Sequence, residues 1–178
     1  MKEQKYLIVV DMQKDFIDGA LGTAEAAAIV GKAAERIRNC RAEGYRVIAT
    51  MDTHSEKYLD TAEGKKLPVI HCVLNTEGWQ LNPEIRDAIG DGMIVEKPTF
   101  GSVRLPEILR EETKPGEPLR IELIGLCTDI CVVSNALLLK AFFPEADISV
   151  NARCCAGVTP EKHEAALETM RSCQVGIL

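Results

Sequence analysis

Residues 120–135, RIELIGLCTDICVVSN, begin as an apolar alternating run, turn through Gly125-Leu126-Cys127-Thr128-Asp129, and continue as an almost wholly apolar helical pattern. This is a strand, a tight turn and a helix. With Thr128 or Asp129 as the cap, the helix opens so that Cys131 falls in its first turn. There the unpaired backbone N–H groups and the positive end of the dipole favour a thiolate. A cysteine so placed acts as a nucleophile when the chain supplies a base, a charge partner and N–H groups for an oxyanion. Taken alone, the same cysteine also reads as a small buried hydrophobe.

The rest of the chain alternates in the same way. Apolar runs at Tyr6–Val10, Tyr45–Thr50, Met93–Val95, Ala146–Val150 and Gln174–Leu178 read as further strands. Helical patterns follow from about Ala24, capped by Thr23 and stopped by Gly44, then at Pro83–Ile89, Leu105–Glu112, Ile130–Phe143 and from Thr159-Pro160 onward. Residues 55–82 read as one long polar loop. Alternation of this kind predicts an α/β fold, a Rossmann-like three-layer sandwich with a six-stranded, mostly parallel sheet and helices on both faces. Its ligand belongs beyond the carboxyl ends of the strands, where strand order reverses.

Composition narrows the function. The 178 residues suit a single domain. A net charge of −6, with 21 scattered Lys and Arg residues, argues against a nucleic-acid partner. No run reaches membrane-spanning length and residues 1–10 lack the features of a secretory signal, so a cytoplasmic protein with no membrane partner is expected. The 7 cysteines, an odd count, do not space as a disulfide framework.

Asp11, Asp52 with His54, Lys97 and the Cys127–Cys131 turn each follow a predicted strand. Each has a bland reading as a loop cap, a solvated charge or a packed thiol, but together they can converge on one site. Asp11 is the best base for Cys131, with its pKa raised by burial, and Lys97 offsets the negative charge. Asp52, His54 and the distant His71 have the ligand types for a divalent metal, and Glu63 supplies a fourth. His163 shares a helical face with Ala166, Leu167 and Met170 and reads as a packed, hydrogen-bonded histidine.

With those residues in place the sequence resembles the isochorismatase-like cysteine hydrolases, and within them the nicotinamidases and related amidases. The likeness rests on VVDMQKDF (9–16), MDTH (51–54), LPVIHCVLNTEGW (67–79), EKPTFGS (96–102), LIGLCTDICV (123–132) and GVTPEKHEAAL (157–167). It implies a triad of Asp11, Lys97 and Cys131, an oxyanion held by the N–H groups of Cys127 and Cys131, and a cis peptide between Leu126 and Cys127. It implies also a metal, zinc first and iron or manganese as alternatives, on Asp52, His54, His71 and Glu63. That metal positions the ring nitrogen of a small amide, with Phe16 stacking on the ring.

The resemblance further implies a homo-oligomer. The chain departs from the nicotinamidase pattern in lacking a further histidine after the D-x-H pair and in carrying Leu67, Pro68 and Trp79 where the pocket wall is expected. Trp79 is therefore a candidate substrate contact. The expected reaction is hydrolysis of nicotinamide to nicotinate with release of ammonia. Rival readings are an amidase of the same superfamily on another small amide or carbamoyl compound, an isochorismatase-type hydrolase, a thiol redox protein and a non-catalytic scaffold.

Overall fold

A computed structural model of the chain describes residues 3–178. Six strands form one sheet in the order β3-β2-β1-β4-β5-β6. They are β1 (Gln4–Val10), β2 (Arg46–Asp52), β3 (Met93–Lys97), β4 (Leu119–Leu126), β5 (Asp147–Ala156) and β6 (Gly176–Ile177). Every pairing is parallel, so the sheet is wholly rather than mostly parallel. The helices are α1 (Lys14–Ile17), α2 (Ala24–Ala42), α3 (Ala62–Lys66), α4 (Pro83–Ile89), α5 (Arg104–Glu112), α6 (Val133–Phe142) and α7 (Pro160–Ser172).

The alternation along β1 divides the core into two layers. Leu7 and Val9 pack with Ile29, Ala33 and Ile37 of α2 and with Ile85 and Ile89 of α4. Tyr6, Ile8 and Val10 face the other way, toward Leu105 and Leu109 of α5, Leu139 of α6 and Leu167 and Met170 of α7. Strands covered on both faces need apolar residues at every position, which explains the unbroken runs. Each buried aliphatic side chain contributes about 1.5–3 kcal/mol.

Local signals act as the sequence leads one to expect at two ends, where the Thr23 and Thr159 side chains cap α2 and α7 by accepting backbone N–H bonds. Asn82 caps α4 in the same way. Three features differ. The expected loop 55–82 contains a 3₁₀ turn at Tyr58–Asp60 as well as α3. β5 runs on to Ala156, six residues past its apolar run, because Cys155 and Ala156 pair with Gly125 and Leu126 after a shift in register. Neither Thr128 nor Asp129 caps the helix after β4, which begins as a π-helical turn, Thr128–Val132, behind an extended Cys127.

Gly125 lets β4 close on β1 at the end of the sheet. Its φ is +117°, and a Cβ there would lie 2.1 Å from the Val10 carbonyl oxygen, so β4 approaches β1 closely just before the turn. All seven cysteines are free; Cys173, after α7, is exposed. No helix among the described residues is long and apolar enough to cross a membrane.

Candidate active site and metal group

Strand order reverses between β1 and β4, and the candidate residues gather at that reversal. Asp11 follows β1 directly, in the left-handed region at φ +47°. Asp52 and Lys97 are the last residues of β2 and β3, and they lie opposite each other in the ladder. Cys131 lies on the π-helical turn after β4. Turns of this kind are frequent at functional sites.

Asp11, Lys97 and Cys131 form one buried cluster. Asp11 is fully buried and Lys97 is 1% exposed. Lys97 Nζ lies 2.6 Å from Asp11 Oδ2 and 3.4 Å from Cys131 Sγ. The other oxygen, Asp11 Oδ1, accepts a 2.6 Å bond from the Thr50 hydroxyl. Lys97 also donates to the Thr99 carbonyl, 3.0 Å, which fixes the ammonium between its partners.

The electrostatics follow from burial. Loss of water pushes the Asp11 carboxyl above its ordinary value; Lys97 opposes this, Asp52 adds to it, and the hydrogen bond from Thr50 opposes it. Burial likewise pushes the Cys131 thiol well up, and the Asp11 charge adds to the effect while Lys97 works against it. For Lys97, burial disfavours the ammonium, but Asp11, Cys131 and Asp52 outweigh that and hold it charged. A carboxylate whose proton affinity is raised, beside a thiol and a fixed cation, is equipped to take the thiol proton.

The turn carrying Cys131 is pinned from outside. Thr128 Oγ1 lies 2.8 Å from His163 Nδ1, and Asp129 Oδ1 accepts from the Val158 N–H at 2.9 Å. The two side chains expected to cap the helix instead tie the turn to the start of α7. His163 is thus a bonded, packed residue, as expected. The Leu126–Cys127 peptide is cis. Among the described residues no protein acceptor meets the Cys127 N–H.

Asp52, His54, Glu63 and His71 come together as a second group, with one ligand atom from each and all four atoms within 4.8 Å of one another. His54 Nε2 lies 2.9 Å from Asp52 Oδ2 and 3.7 Å from Glu63 Oε1. His71 Nε2 lies 3.6 and 3.8 Å from the same two oxygens. The loop holding His71 is brought in by pairing: His54 N–H donates to the Cys72 carbonyl and Leu74 N–H to the His54 carbonyl, both at 2.9 Å.

His71 Nδ1 lies 2.8 Å from the Val69 carbonyl. A carbonyl only accepts, so Nδ1 carries the proton and Nε2 offers its lone pair to the group. Burial would raise Asp52, but the neighbouring His54 and His71 rings and the charge of Lys97 hold its carboxyl well below the usual carboxylate range. Two imidazole nitrogens and two carboxylate oxygens converging out of water fit a divalent metal ion. Glu63 reaches the group because α3 sits tightly on the preceding turn, where a Cβ on Gly64 would lie 2.1 Å from the Tyr58 carbonyl oxygen.

Both groups open onto a cavity of about 270 Å³. Asp52, Glu63 and His71 line it together with Cys127 and Cys131, and Phe16, Leu21, Phe100 and Ile130 are among its apolar walls. Phe16 and Leu67 both line the wall. Trp79 does not. Its indole N–H is occupied by Thr53 Oγ1 at 2.9 Å and its ring packs on the hydrophobic core.

Sequence reasoning passed over three residues here. Thr50 holds Asp11, Gln13 holds the Asp52 backbone, and Tyr58 sets its ring 4.6 Å from that of His54 and 4.9 Å from that of His71. Burial and the nearby Glu63 push the Tyr58 phenol up to about 12. Gln13 lies within the quoted VVDMQKDF stretch and could have been noticed as a polar residue directly beyond a buried strand.

The chain belongs to the isochorismatase family: the Isochorismatase domain model matches residues 5–178. Among similar proteins, a nicotinamidase/pyrazinamidase of Mycobacterium tuberculosis is 25% identical over 97% of this chain and 97% of its own length. A pyrazinamidase of Pyrococcus horikoshii, solved in complex with zinc, is 31% identical with a TM-score of 0.84, covering 98% of both chains. An N-carbamoylsarcosine amidase of Thermoplasma acidophilum is 29% identical with a TM-score of 0.78, covering 99% of this chain and 95% of its own.

Proposed function

We propose that this chain is a metal-assisted cysteine amidohydrolase that converts nicotinamide, or a closely similar small heteroaromatic amide, to the carboxylate and ammonia. The observation that carries the reading is the meeting of the buried Asp11–Lys97–Cys131 cluster and the four-residue metal group at one small, largely apolar cavity. A flat neutral ring suits such walls. The nicotinamidase and pyrazinamidase activities named for the relatives support the same reaction.

Asp11 takes the Cys131 thiol proton, and the sulfur attacks the carboxamide carbon. Lys97 balances the charge as the proton moves. The backbone N–H groups of Cys127 and Cys131 face the developing oxyanion. The C–N bond then breaks, Asp11 returns its proton to the leaving nitrogen, and ammonia departs from a Cys131 thioester. Asp11 next takes a proton from water, whose oxygen attacks the thioester carbon; the carboxylic acid leaves and the thiol is restored. A divalent ion held by Asp52, His54, Glu63 and His71, zinc in our reading, supplies an anchor for a ring nitrogen. Phe16 packs against the ring.

A second reading, hydrolysis of another small amide or a carbamoyl compound, is favoured by Lys162. It lines the cavity and makes no ion pair among the described residues, so it is available to a substrate carboxylate. The reading also takes the chain as one domain acting in the cytoplasm as a homo-oligomer, which gel filtration tests.

The deciding experiment is ammonia release from nicotinamide by zinc-loaded protein, with folded Cys131→Ala as the control. Cysteine-dependent release supports the first reading. No release from nicotinamide, with release from a carboxylate-bearing carbamoyl compound, supports the second. Equal release by Cys131→Ala overturns both.

A further inference from the structure

The hydrogen-bond ladder between β1 and β2 breaks off at the site, and one side chain completes it. Val10 pairs with Thr50, and the Asp11 N–H donates to the Thr50 carbonyl at 3.1 Å. In a parallel ladder the next bond runs from the Asp52 N–H to the Asp11 carbonyl. That bond is not made. The Asp11 backbone turns away at φ +47°, and its carbonyl accepts instead from the Gln13 N–H at 2.8 Å.

The Gln13 side chain takes the place of the lost strand partner. Its Oε1 accepts from the Asp52 N–H at 2.7 Å, and its Nε2 donates to the Asp52 carbonyl at 2.8 Å. The second Nε2 proton goes to the Trp79 carbonyl, also at 2.8 Å. The amide orientation is set by chemistry, since an N–H can only donate and a carbonyl only accept. Gln13 is fully buried and both its N–H groups are used.

What Gln13 grips matters more than that it is bonded. Asp52 Oδ2 faces His54 and His71, and Asp52 Oδ1 lies 3.4 Å from Lys97 Nζ. Asp52 is therefore shared by the metal group and the charge cluster. From this geometry we infer that Gln13 is a positioning residue. It lets Asp11 leave the sheet to point its carboxylate at Lys97, while it holds Asp52 in register for the metal. The inference rests on the metal reading above and adds to it the residue that links the two groups. Partners that orient metal ligands from behind typically change affinity about 10–100-fold when lost.

The test is zinc binding to the intact folded protein, read by competition with a chromophoric chelator, with thermal unfolding measured alongside. Gln13→Met keeps the bulk and removes all three side-chain bonds. Gln13→Glu keeps an acceptor for the Asp52 N–H but loses both donors, and serves if the first variant does not fold. Ile37→Val, in the core away from the site, is the control for general destabilisation. The expected result is a zinc dissociation constant raised about 10–100-fold in either folded Gln13 variant and unchanged in Ile37→Val. Dissociation constants within twofold of wild type in a folded Gln13 variant overturn the inference while leaving the metal reading intact. Wild-type protein that takes up no zinc overturns the metal reading, and this inference with it.

Discussion

Lys97 Nζ stands 2.6 Å from Asp11 and 3.4 Å from Asp52, so one buried ammonium offsets two carboxylates that arrive from different strands. Replacing it by Met leaves both acids out of water without a cation. Lys97→Met should cost about 3–5 kcal/mol of stability at neutral pH, measured by urea unfolding. It should also reduce turnover by at least about 100-fold, and Lys97→Arg should not restore it, because the planar guanidinium does not fit a point-charge site.

Thr50 gives the pH dependence a handle. Its hydroxyl bond favours the ionised form of Asp11, whose carboxyl burial has already raised. Thr50→Val removes that bond, so the carboxyl rises further and more of it is protonated at any given pH. The ionised form is the one that accepts the thiol proton. The acid limb of kcat/KM should therefore move to higher pH in Thr50→Val, and an unmoved limb would refute Asp11 as the base.

Chelation should separate binding from chemistry. Stripping the metal with a chelator is expected to raise KM by about 10-fold or more through lost positioning, with a smaller change in kcat. Alkylation of Cys131 by iodoacetamide, followed by mass spectrometry, should persist in the stripped protein. Unchanged kinetics in verified metal-free protein would count against the group as a substrate anchor.

Gly125→Ala should be among the most damaging substitutions on the sheet. The added methyl would collide with the Val10 carbonyl oxygen at 2.1 Å, at a φ of +117° that disfavours a side chain. A loss of more than about 3 kcal/mol is expected in urea unfolding, or failure to accumulate as soluble protein.

The parts readable from sequence were those with one strong cause. β1 announces itself as an unbroken apolar run and β4 as an alternating one, and Thr23 and Thr159-Pro160 mark helix starts by capping chemistry. Asp11, Asp52, Lys97 and Cys131 stood out because each reacts and each sits at a strand end. What stayed hidden depends on partners far away in sequence. Asn151, Ala152 and Arg153 lack a strand's apolar pattern, yet β5 continues past them because Cys155 and Ala156 find places beside β4. Thr128 and Asp129 are good caps whose hydrogen bonds are claimed instead by His163 and Val158. Trp79 suits a pocket by type, and its bond to Thr53 depends on a residue far away in sequence. Gln13 carries no reactive group, so only the interrupted ladder reveals its task.

The exposed Cys173 offers a use of its own. It follows α7, whose opening turn supplies Lys162 to the cavity, and the helical rise from Lys162 to Cys173 is about 16 Å. The other thiols are buried or, at Cys127, only partly open. A bulky maleimide dye should thus attach at one place, away from the bound amide. The molecule carries its own tethering point for surface immobilisation or fluorescence, with no cysteine to be engineered in, set apart from the cavity that Cys127 and Cys131 line.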